Sequence, residues 1–251
     1  MPRPEIVAHR GASHDAPENT LAAVRLAWQQ NADAAEVDIT LTADNRIVCF
    51  HDTELKRTTG APGTIAGATL AELRELEAGA WKNPLFAGEP IPLLKHVLST
   101  VPEGKRLYIE IKTGAEITDR LVQVVRQSGK KPEQITFISF QADACRAIKR
   151  ALPDHRVLFL HGFKEDENGV LQPPIAELIE EALALGVDGL DLSHKGPLTP
   201  EAVQAIHDAG LGLAVYTVND PFRAHELAAL GVDAITTDRP EEMMELFAPT
   251  P

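Results

Sequence analysis

Short apolar runs alternate with stretches of helical period along the whole chain. Runs of β type occupy Glu5–His9, Ala34–Thr40, Leu107–Lys112, Gln134–Phe140, His155–Leu160, Gly189–Ser193, Leu211–Val218 and Ala234–Thr237. Between them apolar residues recur every three or four positions. Leu21, Val24 and Trp28 share one helix face, Ile117, Leu121 and Val125 another, and Ile175, Leu178, Ile179, Ala182 and Leu183 a third. Strands that alternate with helices build a parallel sheet with the helices outside. Eight such strands are the number that closes a barrel, so the expected fold is α/β, a TIM (β/α)8 barrel in which residues 1–251 form a single domain.

Three joints repeat. Asn31-Ala32-Asp33, Gly186-Val187-Asp188 and Gly231-Val232-Asp233 each follow a helix and precede a strand. Gly or Asn suits the left-handed residue that ends a helix, and the Asp opens the strand. Three and five residues beyond each Asp stand Glu36/Asp38, Asp191/Ser193 and Thr236/Asp238. Residues two apart on a strand share a face, so these polar pairs are expected to line a common mouth at the C-terminal end of the barrel. The segment at about residues 46–95 breaks the rhythm. It opens with a short strand, Arg46–Phe50, carries Gly60, Pro62, Gly63, Pro84, Pro90 and Pro92, and holds a short helix near Leu70–Glu77. It reads as an insertion capping the mouth.

Composition narrows the class. A chain of 251 residues buries about three quarters of its unfolded surface and needs no covalent staple. Cys49 and Cys145 have neither metal-site nor disulfide-framework spacing and read as core thiols. Against 24 basic residues stand 37 acidic ones, a net charge of −13, which disfavours nucleic acid and anionic membrane as partners. No apolar run approaches the roughly 18 residues of a membrane span, and the first residues lack a signal-peptide pattern. A cytoplasmic protein without a membrane anchor is the expectation.

Four clusters at strand ends could carry chemistry: His9-Arg10-Gly11 with Pro17-Glu18-Asn19-Thr20, Glu36-Val37-Asp38, His51-Asp52, and Glu110-Ile111-Lys112. Singly each has a bland reading, such as a loop histidine or a same-face ion pair. Together they put three carboxylates into apolar strands, which is costly without a compensating cation. A hard divalent ion answers that cost, and Mg²⁺ or Ca²⁺ suits an oxygen-only ligand set. Three carboxylates, one dication, Arg10 and Lys112 leave a slightly positive site, suited to a phosphodiester. His9 and His51 could supply and remove the protons that cleavage of such a diester needs. The residue types thus point to metal-assisted phosphodiester cleavage.

The ordered motifs resemble the glycerophosphodiester phosphodiesterases. The features that carry the likeness are His9-Arg10-Gly11 followed by Ala16–Thr20, Glu36-x-Asp38, His51-Asp52, Leu55–Gly60, Ile91-Pro92-Leu93, Glu110-Ile111-Lys112, Ile138-Ser139-Phe140, Tyr216–Asp220 and Gly231–Pro240. The resemblance implies a TIM barrel with the family's insertion after the second strand. It implies one divalent cation on Glu36, Asp38 and Glu110, His9 and His51 as the acid/base pair, and Arg10 and Lys112 near the phosphate. The implied substrate is a small glycerophosphodiester, split into sn-glycerol 3-phosphate and an alcohol.

The chain departs from many relatives in having His14 where they carry Gly and Tyr216 where they carry Trp. Tyr216 is expected to pack against the glycerol moiety, and His14-Asp15 to cap a loop. Trp81 and Phe86 could line the pocket or form the insertion's own core. His155, His161, His194, His207 and His225 read as surface or helix residues without partners. A lysophospholipase D-type activity, or a barrel that only binds metal or phosphate, are the alternatives.

Overall fold

The protein is described here by a computed structural model covering residues 3–248. Its strands are β1 (Glu5–Ala8), β2 (Ala34–Leu41), β3 (Ile47–Cys49), β4 (Arg106–Ile111), β5 (Ile135–Ser139), β6 (Arg156–His161), β7 (Lys164–Glu165), β8 (Leu171–Gln172), β9 (Gly189–Ser193), β10 (Gly212–Tyr216) and β11 (Ala234–Thr237). Strands β1, β2, β4, β5, β6, β9, β10 and β11 pair in parallel in that order, and β1 pairs with both β2 and β11, which closes the barrel. All eight anticipated strands are therefore present. β3 runs antiparallel to β2 and leads into the insertion. The small β7–β8 hairpin was not anticipated, because two-residue strands carry no periodicity.

The principal helices are α1 (Leu21–Gln29), α2 (Lys56–Thr59), α3 (Leu70–Leu73), α4 (Leu94–Thr100), α5 (Thr118–Ser128), α6 (Ala142–Ala151), α7 (Ile175–Leu185), α8 (Pro200–Asp208), α9 (Pro221–Leu230) and α10 (Pro240–Leu246). Thr20 and Thr199 cap α1 and α8 by accepting the N–H groups of Ala23 and Ala202, each at 3.2 Å. Pro200, Pro221 and Pro240 start their helices where a missing N–H costs nothing. The helix expected near Leu70–Glu77 stops at Leu73 and continues as turns. Among the described residues no helix is long and apolar enough to cross a membrane.

Outward-facing Ile6, Val37, Ile39, Leu107, Ile109 and Phe137 pack beneath the helices in the main core. Inside the barrel a second cluster holds Val7, Tyr108, Leu158 and Ala214 with Ala34 and Ala234 below. In a tilted eight-stranded barrel each level is filled from alternate strands. The registers put Glu36, Ile138, Asp191 and Thr236 on the next level toward the C-terminal end, from β2, β5, β9 and β11. Above it come Glu110, Leu160 and Tyr216, then Asp38, Phe140, Ser193 and Asp238. The polar pairs that follow the repeated joints thus share levels because their strands alternate around the barrel.

The joints have a second function. Asp33 Oδ2 accepts the N–H of Ile6 at 2.9 Å, Asp188 Oδ2 that of Val157 at 2.8 Å, and Asp233 Oδ2 that of Leu213 at 2.7 Å. Each Asp therefore stitches the start of its own strand to the start of the preceding barrel strand. Asn31, Gly186 and Gly231 turn the chain into these joints at φ 62°, 72° and 91°. The insertion has its own small core of Val48, Phe50, Leu55, Ile65, Leu73, Ala78 and Ile91.

Asp188→Ala strips the Val157 N–H of its side-chain acceptor and frees Lys149. It is expected to lower the unfolding free energy by about 1–3 kcal/mol in urea titration while turnover is unchanged. A second stability effect comes from Asp191, whose Oδ1 is buried with no hydrogen-bond partner. Burial, helped by the nearby charge of Glu110, pushes its carboxyl up to about 8 from an ordinary 3.8. Between those two values the unfolded chain has released the proton and the folded chain has kept it, so stability falls as pH rises through the window. In chelator-treated protein Asp191→Asn should flatten that fall in a series of urea midpoints against pH; an identical slope in both proteins would contradict it.

Candidate active site

The site begins where β1 ends. The His9 N–H donates to Thr237 O at 2.8 Å, and the chain then turns through Arg10 and Gly11, both left-handed at φ 55° and 80°. A Cβ on Gly11 would come within 2.5 Å of the Ala23 backbone, so only glycine fits between this turn and α1. Arg10 has no such freedom. Its backbone N–H is held by Glu36 Oε2 at 2.8 Å, and its Nη1 donates to Glu18 Oε1 at 2.9 Å. Asn19, also left-handed at φ 58°, donates from Nδ2 to Asp38 Oδ2 at 2.8 Å and accepts the Asp38 N–H at 2.9 Å. Strained backbone here serves to aim polar groups at β2.

Glu36, Asp38 and Glu110 are all buried, and each offers an oxygen that lies within 4.8 Å of the others. Glu36 Oε1 and Asp38 Oδ1 have no hydrogen-bond partner. Lys112 Nζ donates to Glu110 Oε1 at 2.7 Å and lies 3.4 Å from Asp38 Oδ1, while Arg10 Nε lies 3.2 Å from Asp38 Oδ2. Burial and the charges of Asp38 and Glu110 push the Glu36 carboxyl well up. Burial and Asp38 raise Glu110 to about 7, against the pull of Lys112. Burial also works to raise Asp38, but Arg10 and Lys112 outweigh it and hold this carboxyl down. Three converging buried carboxylates, two with unsatisfied oxygens and no sulfur or nitrogen donor among them, fit a hard divalent cation.

Each histidine has a carboxylate behind it. His9 Nδ1 lies 2.7 Å from Asp238 Oδ1, which also accepts Ser13 Oγ at 3.0 Å, and Asn219 Nδ2 donates to Asp238 Oδ2 at 2.6 Å. Burial would raise Asp238, yet His9, Asn219 and Ser13 hold it well below the usual carboxylate range. His51 Nδ1 lies 2.7 Å from Asp52 Oδ1. Arg57, and then His51, hold Asp52 down to about 2 despite partial burial. A carboxylate at Nδ1 takes the N–H there and leaves Nε2 as the ring nitrogen open to proton exchange. Both rings remain partly exposed.

Tyr216 stands half-buried on the level of Glu110 and meets Phe140 edge-to-face, with ring centroids 6.0 Å apart. The Tyr216 hydroxyl is pushed up by burial, Asp191 and Glu110, so it stays a neutral donor. His14 is exposed and lies 3.9 Å from Asp15, outside the carboxylate cluster. Trp81 is exposed, and neither it nor Phe86 belongs to the insertion's core, which settles one of the two readings of that stretch.

Other histidines depart from expectation. His155 is buried against Phe137 with both ring nitrogens unpaired, and His207 Nε2 lies 3.4 Å from Asp233. Sequence reasoning gave Glu18, Asn19, Asp52, Asn219 and Asp238 no part in the site beyond their motifs. Glu18, Asn19 and Asp52 were signalled by their clusters, and Asp238 by its place five residues beyond Asp233.

A family model described as the glycerophosphoryl diester phosphodiesterase family matches residues 9–242. A glycerophosphodiester phosphodiesterase of Caldanaerobacter subterraneus is 31% identical over 246 residues, 96% of each chain. One from Bacillus subtilis is 30% identical over 251 residues, 94% of this chain and 83% of the relative. A phosphodiesterase from Oleispira antarctica, solved in complex with the product sn-glycerol-3-phosphate, superposes with a TM-score of 0.86 at 30% identity, covering 97% of this chain and 96% of that one. The family match spans the strand ends that carry His9, the carboxylate cluster and Asp238, and the chain belongs to the glycerophosphoryl diester phosphodiesterase family of enzymes.

Proposed function

We propose that the protein hydrolyses small glycerophosphodiesters, such as glycerophosphocholine and glycerophosphoethanolamine, to sn-glycerol 3-phosphate and the free alcohol. The observation that carries this reading is the pair of histidines, each with an aspartate at Nδ1, beside a buried carboxylate cluster. A site that merely bound phosphate would need neither oriented imidazole. Glu36, Asp38 and Glu110 would hold one divalent cation, Mg²⁺ or Ca²⁺. Such an ion, when bound, polarises a phosphoryl oxygen.

The chain's own residues supply the rest. Arg10 and Lys112 bring two positive charges to the phosphate, with Arg10 preset by Glu18 and the Arg10 N–H by Glu36. An alkoxide leaves poorly, so one histidine, protonated at Nε2, gives its proton to the departing oxygen as the P–O bond breaks. The other, neutral at Nε2, takes the proton of the attacking hydroxyl or water. Asp238 and Asp52 keep both rings in the tautomer this exchange needs. Tyr216 and Phe140 form an aromatic wall at the level of Glu110, suited to the carbon face of glycerol. Trp81 and Leu85, exposed on the insertion, favour a second reading in which a lysophospholipid chain lies along that edge.

The direct test is release of sn-glycerol 3-phosphate from glycerophosphocholine by chelator-stripped protein, with Mg²⁺ or Ca²⁺ returned. Release that depends on the added ion is expected. Turnover of lysophosphatidylcholine alone would favour the second reading, and no turnover of either would leave a binding protein. His9→Ala and His51→Ala should each lower kcat by about 100-fold or more with circular dichroism unchanged. A variant that retains wild-type kcat removes its histidine from the acid–base pair.

A further inference from the structure

One side chain of the insertion touches both arms of this machinery. Arg57 sits on α2, between Leu55 and Thr58, two buried residues that pin the turn to the insertion. Gly60, left-handed at φ 73°, ends the turn three residues on. The guanidinium then meets two carboxylates at once. Nε donates to Asp52 Oδ2 at 2.5 Å and Nη2 to Asp52 Oδ1 at 3.0 Å. Nη1 and Nη2 donate to Glu18 Oε2 and Oε1 at 2.8 and 2.6 Å. The indole of Trp81 lies under the cation, 5.7 Å from ring centroid to guanidinium carbon.

Both carboxylates have second duties. Asp52 Oδ1 holds His51 Nδ1, and Glu18 Oε1 holds Arg10 Nη1. The hydrogen bonds therefore run without a break from His51 through Asp52, Arg57 and Glu18 to Arg10. An isolated surface ion pair contributes little, but two bidentate contacts sharing one planar cation fix geometry as well as charge. Without Arg57 the two anions would face each other unscreened. Asp52 could rotate off His51, and Glu18 would neutralise Arg10 more fully.

We propose that Arg57 is a positioning residue that couples the docked insertion to the reaction, setting His51 through Asp52 and Arg10 through Glu18. This rests on the reading above for the roles of His51 and Arg10. It makes the barrel alone an incomplete enzyme: one histidine and the phosphate clamp reach their working geometry only when the insertion is seated. His9 has no bond to this chain of hydrogen bonds, because Asp238, itself held by Ser13 and Asn219, orients it.

The test pairs kinetics with histidine-selective NMR on the full chain. Arg57→Ala should remove the downfield Nδ1–H resonance of His51 and leave that of His9, and should lower kcat/KM on the order of 100-fold. Arg57→Lys, a point charge that cannot grip two carboxylates, should recover only part of the loss. Guanidinium added to Arg57→Ala should restore both the resonance and part of the rate. An unchanged His51 resonance in Arg57→Ala overturns the proposal. So does a loss that tracks a lowered melting temperature and is rescued by neither guanidinium nor lysine. If wild-type protein splits no diester, the functional reading falls, while the resonance still decides whether Arg57 positions His51.

Discussion

Three carboxylates brought to one point inside a barrel set the terms for everything around them. Glu36, Asp38 and Glu110 converge in buried positions, and no apolar packing can offset that concentration of charge. The fold answers with Arg10 and Lys112 at ion-pair distance and with two carboxyls whose proton affinity is raised. It also answers with geometry. Arg10 takes a backbone conformation that disfavours a side chain because its N–H is then presented to Glu36, and Asn19 does the same to bind Asp38 twice. A divalent cation would relieve the same repulsion.

The barrel makes such a cluster possible by separating its levels. Val7, Tyr108, Leu158 and Ala214 fill the interior below, and only above them do acidic side chains from alternate strands begin. Apolar filling carries the stability of the lower barrel, which lets the upper levels be chosen for chemistry. Asp191 shows what this costs: on the level of Glu36, with an unsatisfied oxygen, it takes stability from the fold as pH rises.

The two histidines are supported by different parts of the molecule. His9 is held by residues at barrel strand ends and the loop after β1, where parallel pairing leaves little room for movement. His51 is held through a chain of ion pairs that crosses from the insertion to the β1–α1 loop. The same chemical arrangement, imidazole on carboxylate, is thus built from barrel strand ends in one case and through the insertion's Arg57 in the other. The insertion thus reaches the candidate site, although its core of Val48, Phe50, Leu55 and Ile65 is separate from the barrel's.

Hydrophobic period alone specified the eight barrel strands, because alternation and helical spacing are local properties that every segment must satisfy to bury its own face. That Glu36, Asp191 and Thr236 face one mouth was legible in the repeated Asn/Gly-x-Asp joints, since a repeated joint starts each strand alike. The cluster of Glu36, Asp38 and Glu110 was legible too, as charge written into apolar runs. What stayed hidden was pairing at a distance. Arg57 looks like any surface arginine until Glu18 is folded against it, His155 like any polar residue until Phe137 covers it, and Asp238 acquires its role only when barrel closure sets it beside His9. Periodicity fixes which face a residue shows; which partner waits there depends on how strands far apart in the chain are brought together, and tertiary structure alone decides that.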